Sequence, residues 1–260
     1  MSDQTKESSL GIAPWGLIGG TGLESLDGFE AKGKTVLETP FGETSGPVIR
    51  GTLGNVSIAF LSRHGADHHL APHEINYRAN VWALSQSCER VIAVAAVGGI
   101  ASNLAPGDVV IVDQIIDYTW GRAHTFSGSA GGLAGDALGS VTHVDFTEPY
   151  DANVRGALLS AARRAKVAVH DGGVYGATQG PRLESAAEID RLDRDGCTVV
   201  GMTGMPEAGL ARELALPYAS CAVVVNPAAG RGEDEITLEM IKGHLAHGMT
   251  KVYQILRHLQ

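Results

Sequence analysis

One stretch limits the fold more than any other: Val199 to Gly230, reading VVGMTGMPEAGLARELALPYASCAVVVNPAAG. Val199-Val200-Gly201-Met202 is a short apolar run that stops at Thr203-Gly204. Pro206-Glu207 then opens a helical pattern, with Leu210, Leu214 and Leu216 spaced among Glu207, Arg212 and Glu213. Proline suits a first helical turn, where its missing N–H has no partner to lose. Ser220 to Val225 is a second apolar run, β-branched at its end, and it stops at Asn226-Pro227. The spacing predicts strand, helix, strand, with Met202-Thr203 and Asn226 at two strand carboxyl ends. In open α/β sheets that edge is where ligands bind. A polar Asn closing a valine run suits a group that must face a ligand.

Composition narrows the partners. The chain has 260 residues, 44% hydrophobic and 19% charged, enough for a sizeable buried core. Its formal net charge of −9 argues against duplex nucleic acid or an anionic membrane, both of which need basic faces. A small anion in a local pocket stays compatible. Cys88, Cys197 and Cys221 are too few and too scattered for a disulfide framework or a zinc site. No signal-peptide layout or bilayer-length apolar run is present, so a cytoplasmic protein is expected. Residues 1–15 are expected to be a flexible segment and 16–260 a single domain, since strands alternate with helices and no linker splits the chain.

Trp15 to Leu23 reads as a strand running into the Gly19-Gly20-Thr21-Gly22 turn, whose backbone N–H groups could approach an anion. Its spacing is neither GxGxxG nor a P-loop, and a plain tight turn is the alternative. Val56 to Leu61 is a strand ending in Ser62-Arg63-His64-Gly65. His64, His68, His69 and His73 invite a metal reading, but no HExxH pattern accompanies them. Arg63 and His64 at a strand end suit an oxyanion instead, Arg offering a planar fork of donors. A helix is expected from Asn76 to Cys88, strands at Val91–Val97, Val109–Val112 and Gly172–Thr178, and helices at Asp151–Lys166, around Ala186–Leu192, and at Ile236–Leu259. Ser127–Ser140 reads as a surface loop, and Arg231–Glu235 as a charged loop that could close over a ligand.

Nine segments together resemble one family. They are IGGTGL from Ile18, SRHG from Ser62, PHEINYRAN from Pro72, AVGGI from Ala96, PGD from Pro106, DQIIDYTWGR from Asp113, GPRLES from Gly180, VGMTGMPEAGLARE from Val200 and VVNPAAG from Val224. In this order they are similar to the trimeric purine nucleoside phosphorylase / methylthioadenosine phosphorylase family, from about Ile18 to the C-terminus. The resemblance implies an α/β single domain with a mixed, partly barrel-like central sheet flanked by helices. It implies a homotrimer, or a dimer of trimers, with sites near subunit boundaries. The reaction implied is phosphorolysis of a purine nucleoside, with inorganic phosphate as co-substrate and no metal or organic cofactor.

By position, Thr21, Arg63, His64, Thr203 and the backbone at Ala96 match the family's phosphate contacts, and Met202 the residue against the ribose. Ala95 stands where the methylthioadenosine branch usually has a hydroxyl. Asn226 and Glu184 resemble the 6-oxopurine pattern: an Asn amide can donate to O6, and a Glu carboxylate can accept from N1–H. Adenine-specific members have Asp at the first position, and methylthioadenosine members a small residue at the second. A mismatched buried polar group costs roughly 1–3 kcal/mol, so two such groups discriminate strongly. Asn226, Glu184 and His64 are therefore expected to carry the chemistry, with Pro227 and Ala228 beside the base. Leu238 is expected as an apolar wall for the nucleoside 5′ group, with Ile236 near it and no His before His244. His143 matches a residue lent by a neighbouring subunit. The substrate implied is S-methyl-5′-thioinosine, with inosine/guanosine or methylthioadenosine as alternatives. A hydrolytic nucleosidase and a dinucleotide-binding module are competing classes. The first would not depend on phosphate, and the second lacks the GxGxxG spacing.

Overall fold

A computed structural model of the chain describes residues 12–20, 28–128, 143–232 and 237–260. In chain order the elements are β1 (Trp15–Gly19), β2 (Phe29–Thr35), β3 (Val48–Leu53), β4 (Val56–Ser62), α1 (Tyr77–Ser85), β5 (Val91–Gly99), β6 (Val109–Ile111), β7 (Gln114–Asp117), α2 (Ala152–Ala165), β8 (His170–Asp171), β9 (Val174–Ala177), α3 (Ala186–Arg194), β10 (Val199–Gly201), α4 (Gly204–Glu213), β11 (Tyr218–Pro227) and α5 (Leu238–Leu256). Val199 to Gly230 is strand, helix, strand as expected. The backbone of Met205 is extended (φ −118°, ψ 142°), so the regular turns of α4 begin at Pro206.

The described strands form one mixed sheet of eleven. From β5 it passes to β11 (parallel), to β6 (antiparallel) and to β8 (parallel). Past Gly172-Gly173 the chain of β8 continues as β9, which pairs with β7 and with β10. β10 returns antiparallel to β5 at Gly98–Gly99, so this part closes into a barrel. From β5 an open arm extends through β1 and β4, both parallel to it, to the β3–β2 hairpin. Sequence pattern does not separate this hairpin from short extended pieces. β2 (FEAKGKT) is solvated along most of its length and carries no apolar run to mark it. β7 likewise reads as a connection in the sequence. Asp113 marks its break from β6, exchanging bonds with Gly173 on the facing strand.

Side chains alternate across the sheet with a period of two. Leu17, Ile58, Phe60, Ile92 and Val94 face α2 and α5, meeting Val154, Leu158, Leu245, Met249, Val252 and Ile255. Ile18, Ala59, Leu61, Val91, Ala93 and Ala95 face the other way, toward Tyr77, Val81 and Leu84 of α1 and Ala208, Leu210 and Ala211 of α4. Both faces are covered, which is why the central strands read as continuous apolar runs. Ala13 exchanges hydrogen bonds with Ser87 and Glu89, and Trp15 is buried, so the boundary expected at residue 15 falls within packed chain. Residues 1–11 lie outside the described residues, as does most of the expected Ser127–Ser140 loop.

Candidate active site

The sheet topology leaves an opening along β5. One edge of this strand is covered by β1 over Val91–Val94 and by β10 over Gly98–Gly99. Among the described residues, Ala95, Ala96 and Val97 pair with β11 alone, on the other edge. Backbone groups alternate sides along a strand. The Val91 N–H and the Gly99 carbonyl both bond on the β11 side, to Pro217 and Ala228, whereas the Ile100 N–H bonds to Thr198 on the opposite side. Ala96 shares the phase of Ile100, so its N–H and carbonyl point into the uncovered gap. A cleft of about 470 Å3 opens there, lined also by Gly20, by Arg63 and His64 after β4, by Met202-Thr203 after β10, by Glu184, and by Asn226 and Ala228 at the end of β11.

His64 and Thr203 line the cleft together with Ala96. Thr203 occupies the N-cap position of α4, and its side chain makes no cap hydrogen bond. His64 is 8% exposed, and its Nδ1 lies 2.9 Å from the Leu70 carbonyl. A carbonyl only accepts, so Nδ1 carries the proton and Nε2 is an acceptor in the neutral ring. Burial pulls the ring's pKa down to about 4, helped by the Arg63 charge and by His68, against the opposing effect of the Leu70 carbonyl. The His68 ring stacks on it at 4.2 Å. Gly20 permits the fit, since a Cβ there would come within 2.6 Å of the His64 ring.

Arg63 corrects the expectation of an open fork. Its side chain is 2% exposed and forms a two-point ion pair with Glu207, at 2.7 and 2.9 Å. Further bonds reach the Val94 and Ile18 carbonyls. Among the described residues, four of the five guanidinium N–H groups have partners, and one, on Nη1, remains for a ligand. Burial pulls the arginine pKa down, but Glu207 more than offsets this and the net shift is upward. Glu207 is fully buried and also accepts from the Tyr218 hydroxyl at 2.8 Å. Sequence pattern does not reveal its role. On a helix it reads as a surface acid, and only its companion at Arg63, 144 residues away, could signal otherwise.

Met202, Glu184, Asn226 and Ala228 also line the cleft. Ser185 and Glu188 form a capping box at the start of α3, which fixes Glu184 one residue before the cap. The Thr178 hydroxyl donates to Glu184 Oε1 at 2.6 Å, leaving Oε2 free of it. At Asn226 the β11 register shifts against β5 between Val224 and Asn226. Such a bulge re-aims a side chain. Asn226 is 6% exposed, and its Nδ2 donates to the Pro227 carbonyl at 2.6 Å, which leaves a second N–H and Oδ1. Ile241 of α5 supplies an apolar wall. The sequence points to Leu238, and Ile241 lies three residues further along the same helix.

The other expected site residues either do not line the cleft or lie outside the described residues. Pro227 does not line the cleft; its backbone pairs with Gly99. His143 is exposed and is not part of the cleft wall of its own chain. Leu238 opens α5, but its side chain, Thr21 and Ile236 lie outside the described residues. Of the expected closing loop, Arg231 pairs with Asp190 and Asp193 on α3, and 233–235 lie outside. Among the described residues no group of three or more His, Cys, Asp and Glu side chains is placed to hold a metal ion.

The phosphorylase superfamily matches residues 14–260. The chain belongs to that family. A Pseudomonas syringae pv. tomato protein named "Probable S-methyl-5′-thioinosine phosphorylase" is 48% identical over 239 residues, covering 92% of this chain and 94% of that one. A Pyrococcus furiosus 6-oxopurine nucleoside phosphorylase is 46% identical over 222 residues, covering 85% and 82%. Among solved structures, this phosphorylase is similar to the methylthioadenosine phosphorylase of Schistosoma mansoni in complex with adenine. The TM-score is 0.88 and the identity 33%, with 95% of this chain and 90% of that chain covered.

Proposed function

We propose that this phosphorylase cleaves a 6-oxopurine nucleoside, S-methyl-5′-thioinosine above all, with inorganic phosphate, giving hypoxanthine and S-methyl-5-thioribose 1-phosphate. The supporting observation is that Glu184 and Asn226 line the same cleft as Ala96, His64 and Thr203. The C1′–N9 bond breaks with its electron pair leaving on the purine, a phosphate oxygen bonds to C1′, and the proton that the phosphate gives up ends on a purine ring nitrogen as hypoxanthine forms. Phosphate sits at the β5 gap, met by the Ala96 N–H, the Thr203 hydroxyl, the remaining Arg63 N–H and, as the resemblance implies, Thr21, while His64 Nε2 accepts from a phosphate O–H. Positioned this way it needs no covalent activation. Asn226 donates to O6 as negative charge grows on the base, and Glu184 accepts from N1–H. Met202 lies against the ribose.

At the 5′ end Ile241 offers an apolar wall, and Leu238 and the partner-lent His143 remain part of the proposal. His244, the first histidine on α5, places Nδ1 2.9 Å from the Val225 carbonyl. The apolar Ile241 wall favours a methylthio group over a 5′-hydroxyl. The decisive assay compares four nucleosides, with 6-oxo or 6-amino bases and 5′-hydroxyl or 5′-methylthio groups, each with and without phosphate. Methylthioinosine should give the highest kcat/KM, and only with phosphate. Faster cleavage of methylthioadenosine, or cleavage independent of phosphate, would reject the proposal.

A further inference from the structure

Arg122 lies outside every contact proposed above, yet it is 8% exposed and no carboxylate accepts from it among the described residues. Its donors go to neutral groups on separate pieces of chain. Nη1 donates to the Met202 and Met205 carbonyls at 2.8 and 2.6 Å. Nη2 donates to the Thr178 and Gln179 carbonyls at 3.3 and 2.8 Å, and Nε to the Gln179 side chain at 3.2 Å. Nη1 also reaches the Tyr77 hydroxyl at 3.2 Å, which in turn donates to the Pro72 carbonyl at 2.9 Å.

We propose that Arg122 is a positioning residue that holds three walls of the cleft in register: the Met202–Thr203 turn, the Thr178–Glu184 loop and, through Tyr77, the loop ending at Pro72. Thr178 and Met202 follow β9 and β10, where the ladder no longer supplies partners for these carbonyls. Buried carbonyls need donors, and a planar guanidinium can serve several at once where an ammonium cannot. Thr178 carries the arrangement onward, because its hydroxyl holds Glu184. The residue that reads the purine and the residue against the ribose are therefore set relative to one another by a single side chain. A displacement of about 1 Å in such a site costs about 100-fold in rate.

The test uses Arg122→Lys and Arg122→Ala in the full-length protein, with folding checked by circular dichroism. Amide hydrogen exchange without substrate should speed up at least about tenfold in 178–184 and 202–205, while the β5 amides stay as protected as in wild type. The kinetic arm rests on the function proposed above. There kcat/KM for the 6-oxopurine nucleoside should fall about 100-fold, and the 6-oxo over 6-amino preference should shrink about tenfold, which a general loss of folded protein would not produce. Unchanged exchange, or unchanged base preference in a folded variant, overturns the inference. If Arg122→Ala does not fold, Arg122→Lys decides by the same two measurements. A wild-type protein with no phosphorolysis would reject the functional proposal and leave the exchange result to judge the clamp.

Discussion

His64 carries its ring proton on Nδ1 because the Leu70 carbonyl lies 2.9 Å away, and burial keeps the ring neutral at pH 7. Its folded pKa, about 4, lies below the ordinary value of 6.5. Between those values the unfolded chain binds a proton that the native ring refuses, so stability falls as pH drops through this window. Comparing the pH dependence of unfolding in wild type and His64→Gln should isolate that loss, at most roughly 3 kcal/mol. A difference that stays flat from pH 7 to pH 4 would show that the ring is not held neutral. Glu207 answers a different charge. Glu207→Gln leaves Arg63 buried without its counter-ion and should cost about 3–5 kcal/mol, read from urea unfolding. Arg63→Met combined with Glu207→Gln should recover part of that loss, since the charge itself is then gone.

Helix α5 separates two effects of glycine that its sequence cannot. A Cβ at Gly243 would meet nothing within 4 Å, whereas a Cβ at Gly248 would overlap the Val223 side chain of β11. Gly243→Ala should therefore stabilise by up to about 1 kcal/mol through helix propensity. Gly248→Ala should destabilise by about 1–3 kcal/mol, because overpacking against a stiff β-branched neighbour outweighs the same propensity gain. Melting temperatures moving in the same direction for both would contradict the packing of α5 on β11. The elements legible in the sequence include β1, β4, β5, β6, β9, β10, β11 and the helices. β2 is not, being a solvated edge, and β7 is hidden by the bend after Asp113.

At the scale of the molecule, closure of the sheet from β5 through β11, β6, β8, β9 and β10 places the site in a gap along β5. Of the open arm, β2 and β3 contribute no lining residue, whereas Gly20 after β1 and Arg63 and His64 after β4 do. His143 is exposed and stands apart from its own cleft, which accords with the proposal that it serves a neighbour in a homotrimer. Sedimentation should then give a mass about three times 27.1 kDa, or six times for a dimer of trimers. A monomer with full activity would remove His143 from the proposed site.

Local sequence alone determined the strand–helix–strand around Thr203 and the placing of Asn226 at a strand end, because caps, periodicity and turn residues act over a few positions. The family resemblance carried the rest of the expected site. Only the tertiary structure decided that Arg63 commits its charge to Glu207, that Ala96 faces a gap left open between β1 and β10, that Ile241 lines the cleft, and that Arg122 joins separate loops. Each of those depends on partners far apart in the chain, whose meeting is set by how the sheet closes and not by any local preference.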